Sequence, residues 1–559
     1  MCLAIEAPIP AREKSIMFSR PGSFRTAGSL ALVIGAALVL AGCSTSSGAA
    51  EKAEGGTLTF GVDVDPVGHL DVHSSQLDIN AILQRPVFDS LVSQNADGTI
   101  VPWLATDWQV SDDGLQYTFT LRDDVTFSDG EKFDAAAVKA NFDHIVDPAT
   151  ESAQASSLIG GEYYAGTEVI DDTTVRVDFS QPYAPFLANA ASVELGFYSP
   201  KVLSEHSDEL KAGGPGISVG SGPFILSEYT PGSELVYTKN PDYDWAPEGV
   251  DAQGPATIDE LDVKILPESS VRTSALTSGQ VDVIGDTAPS SLGQIGDGFT
   301  VTSTESPGVP YSLYLNVARP VFSDVAVRTA FAGGFDVDAA VKAVFDDSYQ
   351  RAYSILGPTT PDSYDAALES EASFDADAAN DALDAAGWSE RDSDGYRTKN
   401  GERLSARWIS YTPVNEDNAN LANLIQDGLK KVGFEVVHDQ LEPGAYLEAY
   451  LAGDYDLTDW GFLSADADVL RSHLGTDGYQ NASHLSDPEI DATLASAVAT
   501  TDATQRAQLY TQLQQWNAEN AVIVPLYVPE YILASSDKVG GIEVDIHGWP
   551  LFSGAYVTK

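Results

Sequence analysis

The sequence predicts an α/β protein of two lobes carrying a hairpin-rich insertion. Three observations point there. Strands of strict period-two alternation crowd the first third of the chain. A strand–helix–strand unit stands in the second half. And the 559 residues, 43% hydrophobic and 9% aromatic, supply material for several buried cores. At one domain per ~100–200 residues the chain makes about three to five units.

In chain order, residues 57–64 (TLTFGVDV) alternate and read as a first strand. Residues 107–122 read as a hairpin, with Leu115, Tyr117, Phe119 and Leu121 on one face and Asp112-Asp113-Gly114 as its turn. Residues 135–145 have helical spacing through Val138, Phe142 and Ile145. Residues 168–179 repeat the hairpin pattern with Val175, Val177 and Phe179 in register. Phe331-Ala-Gly-Gly-Phe-Asp336 puts two glycines into a helical pattern, which predicts a short or bent helix. Residues 374–387 form a helix with Ala379, Ala382, Leu383 and Ala386 aligned. Then come a strand (403–411), a helix (418–432, with Leu421, Leu424, Ile425, Leu429 and Val432 on one face) and a strand (434–438). That order implies a parallel pair with a crossover. Gly433 fits the C-cap. No internal repeat is evident.

Lys and Arg number 30 against 83 Asp and Glu, a net charge of −53. Nucleic-acid binding by phosphate neutralisation is excluded. The only cysteines, Cys2 and Cys43, exclude a disulfide-stapled fold. The eight histidines are scattered without metal-ligand spacing, so no metal site or cofactor is expected. Asp392-Ser-Asp-Gly395 reads as a polar turn rather than a calcium loop. Gly216-Ile-Ser-Val-Gly220 matches G-x-S-x-G, but its flanks lack the strand and helix that present a nucleophile. Ser218 is therefore a remote candidate, and no enzyme activity is expected.

At the N-terminus, Arg12, Lys14, Arg20 and Arg25 precede an apolar stretch at 27–42, so residues 1–42 read as a signal peptide. The stretch is short for a transmembrane helix. It ends in Leu40-Ala41-Gly42-Cys43, which resembles the bacterial lipobox. That resemblance implies a lipid on Cys43 and an extracytoplasmic protein anchored to the cell membrane. Met17 is an alternative start. Residues 43–56 are small and polar, a flexible tether reaching roughly 20 Å.

Several stretches, taken in order, carry one resemblance. They are 101–114 (VPWLATDWQVSDDG), 117–122 (YTFTLR), 125–130 (VTFSDG), 219–224 (VGSGPF) and 240–243 (NPDY). Arg272 with 276–283 (LTSGQVDV), 320–328 (PVFSDVAVR), 385–388 (AAGW) and 525–527 (PLY) complete the set. The chain resembles the family 5 extracellular solute-binding proteins of ABC transporters, the oligopeptide, dipeptide and nickel-binding group. The resemblance implies a two-lobe periplasmic-binding-protein type II fold, large and cluster C-like. Lobe I would comprise 57–98, 220–312 and 530–559, with the extra subdomain at 99–219; lobe II would be 313–529. It implies a monomer that closes on a small peptide or peptide-like solute and delivers it to an ABC permease and ATPase. Nickel chelates, opines and oligosaccharides are the alternative cargoes.

Site candidates follow from position and from the resemblance. Ligands of open α/β sheets sit beyond the carboxyl ends of strands. Trp408 and Tyr411 close a lobe II strand and alternate to opposite faces, with Tyr411 the choice for the cleft. In residues 455–468 (YDLTDWGFLSADAD), the peptide-binding relatives imply an aromatic wall from Trp460 or Phe462. They also imply a carboxylate for a peptide α-amino group, from Asp466 or Asp468. The run is a few residues shorter than in those relatives, which leaves Ser464 and Ala465 open for that position. By the same resemblance Tyr314, Asn316 and Tyr527 line the cleft near the lobe crossings, and Asp65 and His69 follow the first strand.

Overall fold

The structure is a computed structural model, and it describes residues 55–558 apart from 67–68, 96–97, 361–362, 371–373 and 465. The expected signal peptide, Cys43 and most of the tether lie outside the described residues. Among the described residues no helix is long and apolar enough to cross a membrane.

The chain enters its first sheet at once. In Thr57–Val62, Leu58, Phe60 and Val62 are buried. This strand pairs in parallel with Glu260–Ile265 on one side and Val283–Ile284 on the other. The completed seven-stranded sheet runs Phe299–Glu305, Glu530–Ser536, Val283–Ile284, Thr57–Val62, Glu260–Ile265, Glu234–Lys239, Phe224–Thr230. The strand stops at Val62; Val64, expected within it, is exposed.

The hairpin-rich insertion is a four-stranded antiparallel sheet of Ala105–Val110, Gln116–Leu121, Thr174–Phe179 and Tyr164–Asp171. Alternation sends Tyr117, Phe119, Leu121, Val175, Val177 and Phe179 inward. The helix Ala135–Val146 buries Val138, Phe142 and Ile145 in the same core. Asp134 caps it by accepting from Ala137 N at 2.9 Å.

A six-stranded sheet forms the second lobe, in the order Gln350–Arg351, Ile523–Val528, Gly308–Leu315, Leu457–Leu463, Ser405–Tyr411, Glu435–Leu441. The predicted crossover is present. Ser405–Tyr411 and Glu435–Leu441 are parallel, and the helix Glu416–Val432 joins them. Leu421, Ile425, Leu429 and Val432 face the core, but Leu424 is exposed, contrary to the predicted face. At ~100° per residue, Leu424 points about 95° from the centre of that face. The helix Val325–Ala332 is short as expected and stops at Gly333. At Gly334 a Cβ would lie 2.7 Å from Ala330 O, so only glycine lets the chain turn there beneath helix Glu416–Val432.

Gly433 ends the crossover helix at φ +86°, and a Cβ there would meet Arg391 Nη1 at 2.5 Å and Arg397 Cγ at 2.8 Å. Arg397 is the reason for the close approach: its Nε donates to Val432 O at 2.8 Å, holding the helix end. Gly433→Ala is expected to destabilise the protein by more than the roughly 1 kcal/mol of a strained φ, read as a drop in urea midpoint at constant m.

The two sheets are joined by adjacent crossings. Phe299–Glu305 runs into Gly308–Leu315, and Ile523–Val528 runs into Glu530–Ser536. The crossings are bonded to each other: Glu305 pairs with Glu530, and Ser306 N donates to Pro529 O at 2.9 Å. The larger apolar core runs from the first sheet through the four-stranded subdomain into the 462–523 region. The second core lies beneath the six-stranded sheet.

Candidate functional site

The strand Leu457–Leu463 lies at the centre of the second lobe, and its alternation divides the predicted residues between two faces. On one face Trp460 stacks on Tyr314, ring centroids 4.6 Å apart and 27° between planes. From this pair a continuous run of rings extends both ways. Toward one end come Tyr450 (5.7 Å from Trp460), Tyr446 and Tyr411. Toward the other come His473, Phe462 and Tyr479. Tyr411 is exposed, Tyr446, Tyr450 and Trp460 are half-buried, and Tyr314 and Phe462 are buried. The run passes from an exposed lip at Tyr411 through a buried centre at Tyr314, His473 and Phe462 to the half-buried Tyr479. Burial drives the His473 pKa down to about 4, so this ring is neutral at physiological pH.

The other face is a polar knot. Asp459 accepts hydrogen bonds from Trp408 Nε1 at 3.1 Å, from Ser410 Oγ and from the Tyr311 hydroxyl. His438 stacks on Trp408 at 4.4 Å, with Nε2 2.8 Å from Ser410 Oγ. Burial lowers the His438 pKa, against the pull of Asp459 and Asp439. Tyr527 stacks on Tyr311 and donates to Asn418 Oδ1 at 2.9 Å. Trp408 and Tyr527 thus pack in the second core, while Tyr411, on the opposite face, reaches the surface.

Beyond Phe462 the chain turns through two carboxylates, each held by an arginine. Arg506 grips Asp466 with both Nη atoms, one at 2.6 Å. Arg471 grips Asp468, with Nη2 at 2.7 Å and Nε at 3.0 Å. Burial pushes the Asp468 pKa up while Arg471 pulls it down. The Arg471 guanidinium also lies over the rings of Tyr163 and Tyr183, 5.8 Å from each, so the pair is pinned between the second lobe and the subdomain. A cavity of about 30 Å³ opens beside it, lined in part by Gln154, Asn189, Phe462, Ser464, Arg471 and Tyr479.

The remaining candidates sit apart. Asn316 is buried and ties a loop, donating to Tyr455 O at 3.1 Å and accepting from Ala318 N. Asp65 accepts from the Tyr229 hydroxyl at 2.8 Å and from Gly232 N. His69 is exposed. Ser218 is buried in a glycine-rich loop and accepts from Gly214 N at 3.2 Å, without the strand and helix of a nucleophile elbow.

Sequence reasoning missed Tyr446 and Tyr450, although their i, i+4 spacing was a usable signal. It also missed Arg471, Arg506 and a carboxyl pair, Asp63 and Asp286, just past the parallel strands Thr57–Val62 and Val283–Ile284. Asp286 keeps a solvent-exposed edge, but the protein packed around it, and then the neighbouring Asp63, raise its pKa to about 7. Unfolded, this group would titrate near 3.8, so its proton favours the fold at low pH and the contribution is lost as pH rises from about 4 to about 7. Asp286→Asn is expected to match the parent at pH 4 and to melt higher at pH 8, which parallel thermal melts would show.

The comparisons agree with this architecture. The model of the bacterial extracellular solute-binding proteins, family 5, matches residues 99–481. The chain belongs to that family, the substrate-binding components of ABC importers. It is 26% identical to the nickel-binding periplasmic protein of Escherichia coli, over 82% of this chain and 87% of that one. It is 27% identical to the probable D,D-dipeptide-binding periplasmic protein of the same organism, over 82% and 85%. Among solved structures, NikA of Brucella suis in complex with Fe(III)-EDTA superposes with TM-score 0.78 at 27% identity, covering 90% of this chain and 100% of that one. A periplasmic binding protein of Helicobacter pylori with a bound peptide gives 0.76 at 24% identity, over 90% and 99%, a likeness of fold.

Proposed function

We propose that this protein captures small peptides or peptide-like solutes between its lobes and hands them to an ABC permease driven by a separate ATPase. The observation that carries the reading is the ring run from Tyr411 to Tyr479. It offers a stacking and apolar wall that runs from an exposed ring through a buried centre, of the kind that orients a small ligand inside a closing cleft. Trp460 and Tyr411 supply that wall, with Tyr314 and Phe462 behind them. The dipeptide-type relative supports the cargo class. The protein works as a monomer, tethered to the outer face of the membrane by lipid on Cys43, and it makes and breaks no covalent bond.

The test is a thermal-shift screen of the full chain in detergent, after unfolding and refolding to strip co-purified solute. A ligand at 100 times its Kd stabilises by about 2.7 kcal/mol. Di- to pentapeptides are expected to raise Tm. Silence of all peptides, with stabilisation by nickel–histidine, an opine or an oligosaccharide, would keep the carrier and overturn the cargo. Cys43→Ser is expected to release the protein from membranes; retention would overturn the anchor.

A further inference from the structure

The cavity between the subdomain and the second lobe is furnished for one kind of chemical group. Its carboxylates are Asp466 and Asp468, and both are committed to arginines. What it presents instead is one donor and one acceptor. Arg471 lines it, and with Nε and Nη2 spent on Asp468, no hydrogen bond among the described residues engages its Nη1. Gln154 also lines it and is 2% exposed, and its Oε1 has no hydrogen-bond partner among the described residues. An orphaned buried amide oxygen is costly unless something fills the space with a donor. The volume, about 30 Å³, exceeds the ~10–15 Å³ that one water needs. It suits a water pair or one small ligand group.

We propose that this cavity is the subsite for an uncharged or acidic end of the ligand, one that offers an oxygen acceptor to Arg471. An acyl-amide end fits best: its carbonyl accepts from Arg471, and its N–H donates to Gln154. An ammonium fits badly. It has three donors and no acceptor, and the carboxylates it needs are already neutralised by guanidiniums. The proposal rests on the carrier reading above and narrows its substrate class to solutes blocked or acidic at this end.

The test is calorimetric titration of the stripped full chain with trialanine and N-acetyl-trialanine. The acetylated peptide is expected to bind about tenfold tighter or better. Gln154→Leu, a near-isosteric change that leaves both ion pairs intact, is expected to weaken the acetylated peptide about fivefold. Equal or tighter binding of free trialanine overturns the proposal, and so does an unchanged affinity in Gln154→Leu. If neither peptide binds, the peptide reading has failed, and a small-molecule arm decides the subsite. Acetate and methylammonium are then titrated into protein with ¹⁵N-labelled arginine side chains, the Arg471 signal being assigned by its loss in Arg471→Lys. A saturable shift with acetate alone supports the proposal. No shift, or a shift with methylammonium, overturns it.

Discussion

Asp466→Ala is expected to lower the free energy of unfolding by about 3–5 kcal/mol. Asp466 and Arg506 are both largely buried, and the guanidinium has few other partners: the Tyr510 hydroxyl at 3.0 Å and Ala497 O at 3.3 Å. Removing the carboxylate strands a charge that lies too deep to regain its water. Burial would drive the Arg506 pKa down, and Asp466 is the main group that offsets this. The cost is therefore that of the orphan, not the worth of the pair. The double variant Asp466→Ala/Arg506→Met should recover most of the loss, because exchanging both partners for apolar groups is often near neutral. Urea unfolding of the four members of the cycle measures it. A single variant within 1 kcal/mol of the parent would mean that Arg506 finds solvent and the pair is not buried in solution.

The second large effect concerns binding. Trp460→Ala is expected to weaken the cognate ligand at least tenfold, about 1.4 kcal/mol or more, since centrally placed Trp side chains dominate recognition surfaces. Trp460 joins the buried Tyr314 to the half-buried Tyr450, so its removal splits the ring run in the middle. Its Nε1 is buried and has no hydrogen-bond partner among the described residues. Trp460→Phe should keep most of the stacking and lose the donor, and calorimetry of the two variants separates these parts. Unchanged affinity in Trp460→Ala would move the ligand off this wall.

What could be read from the sequence was what repeats locally. Alternation in residues 116–121 and 174–179 gave the subdomain its buried face, and helical spacing in 135–145 gave the helix across it. The two glycines at 333 and 334 announced a helix end. Trp460 and Tyr411 became candidates because strand ends and aromatic clusters leave local marks. Relations between distant segments leave none. Arg506 is 40 residues from Asp466, and Tyr183 meets Arg471 from a segment far earlier in the chain. An arginine in a helical pattern reads as a solvated side chain until its carboxylate is seen. Leu424 shows the converse. Its spacing placed it on the core face, but rotation over the helix carries it to the rim.

The paired crossings have a mechanical meaning. Two strands cross between the lobes side by side, one going out and the other returning, stitched by the Ser306 N to Pro529 O bond. A single strand would let the lobes swivel about any direction. Two strands fastened edge to edge resist twist and sideways slip, and they leave bending across the ribbon as the soft coordinate. Loosening the stitch would add rotational freedom to the unliganded protein, and each ligand would have to remove that entropy before the cleft could shut. Through the freedom of the unliganded lobes, the stitch would bear on affinity.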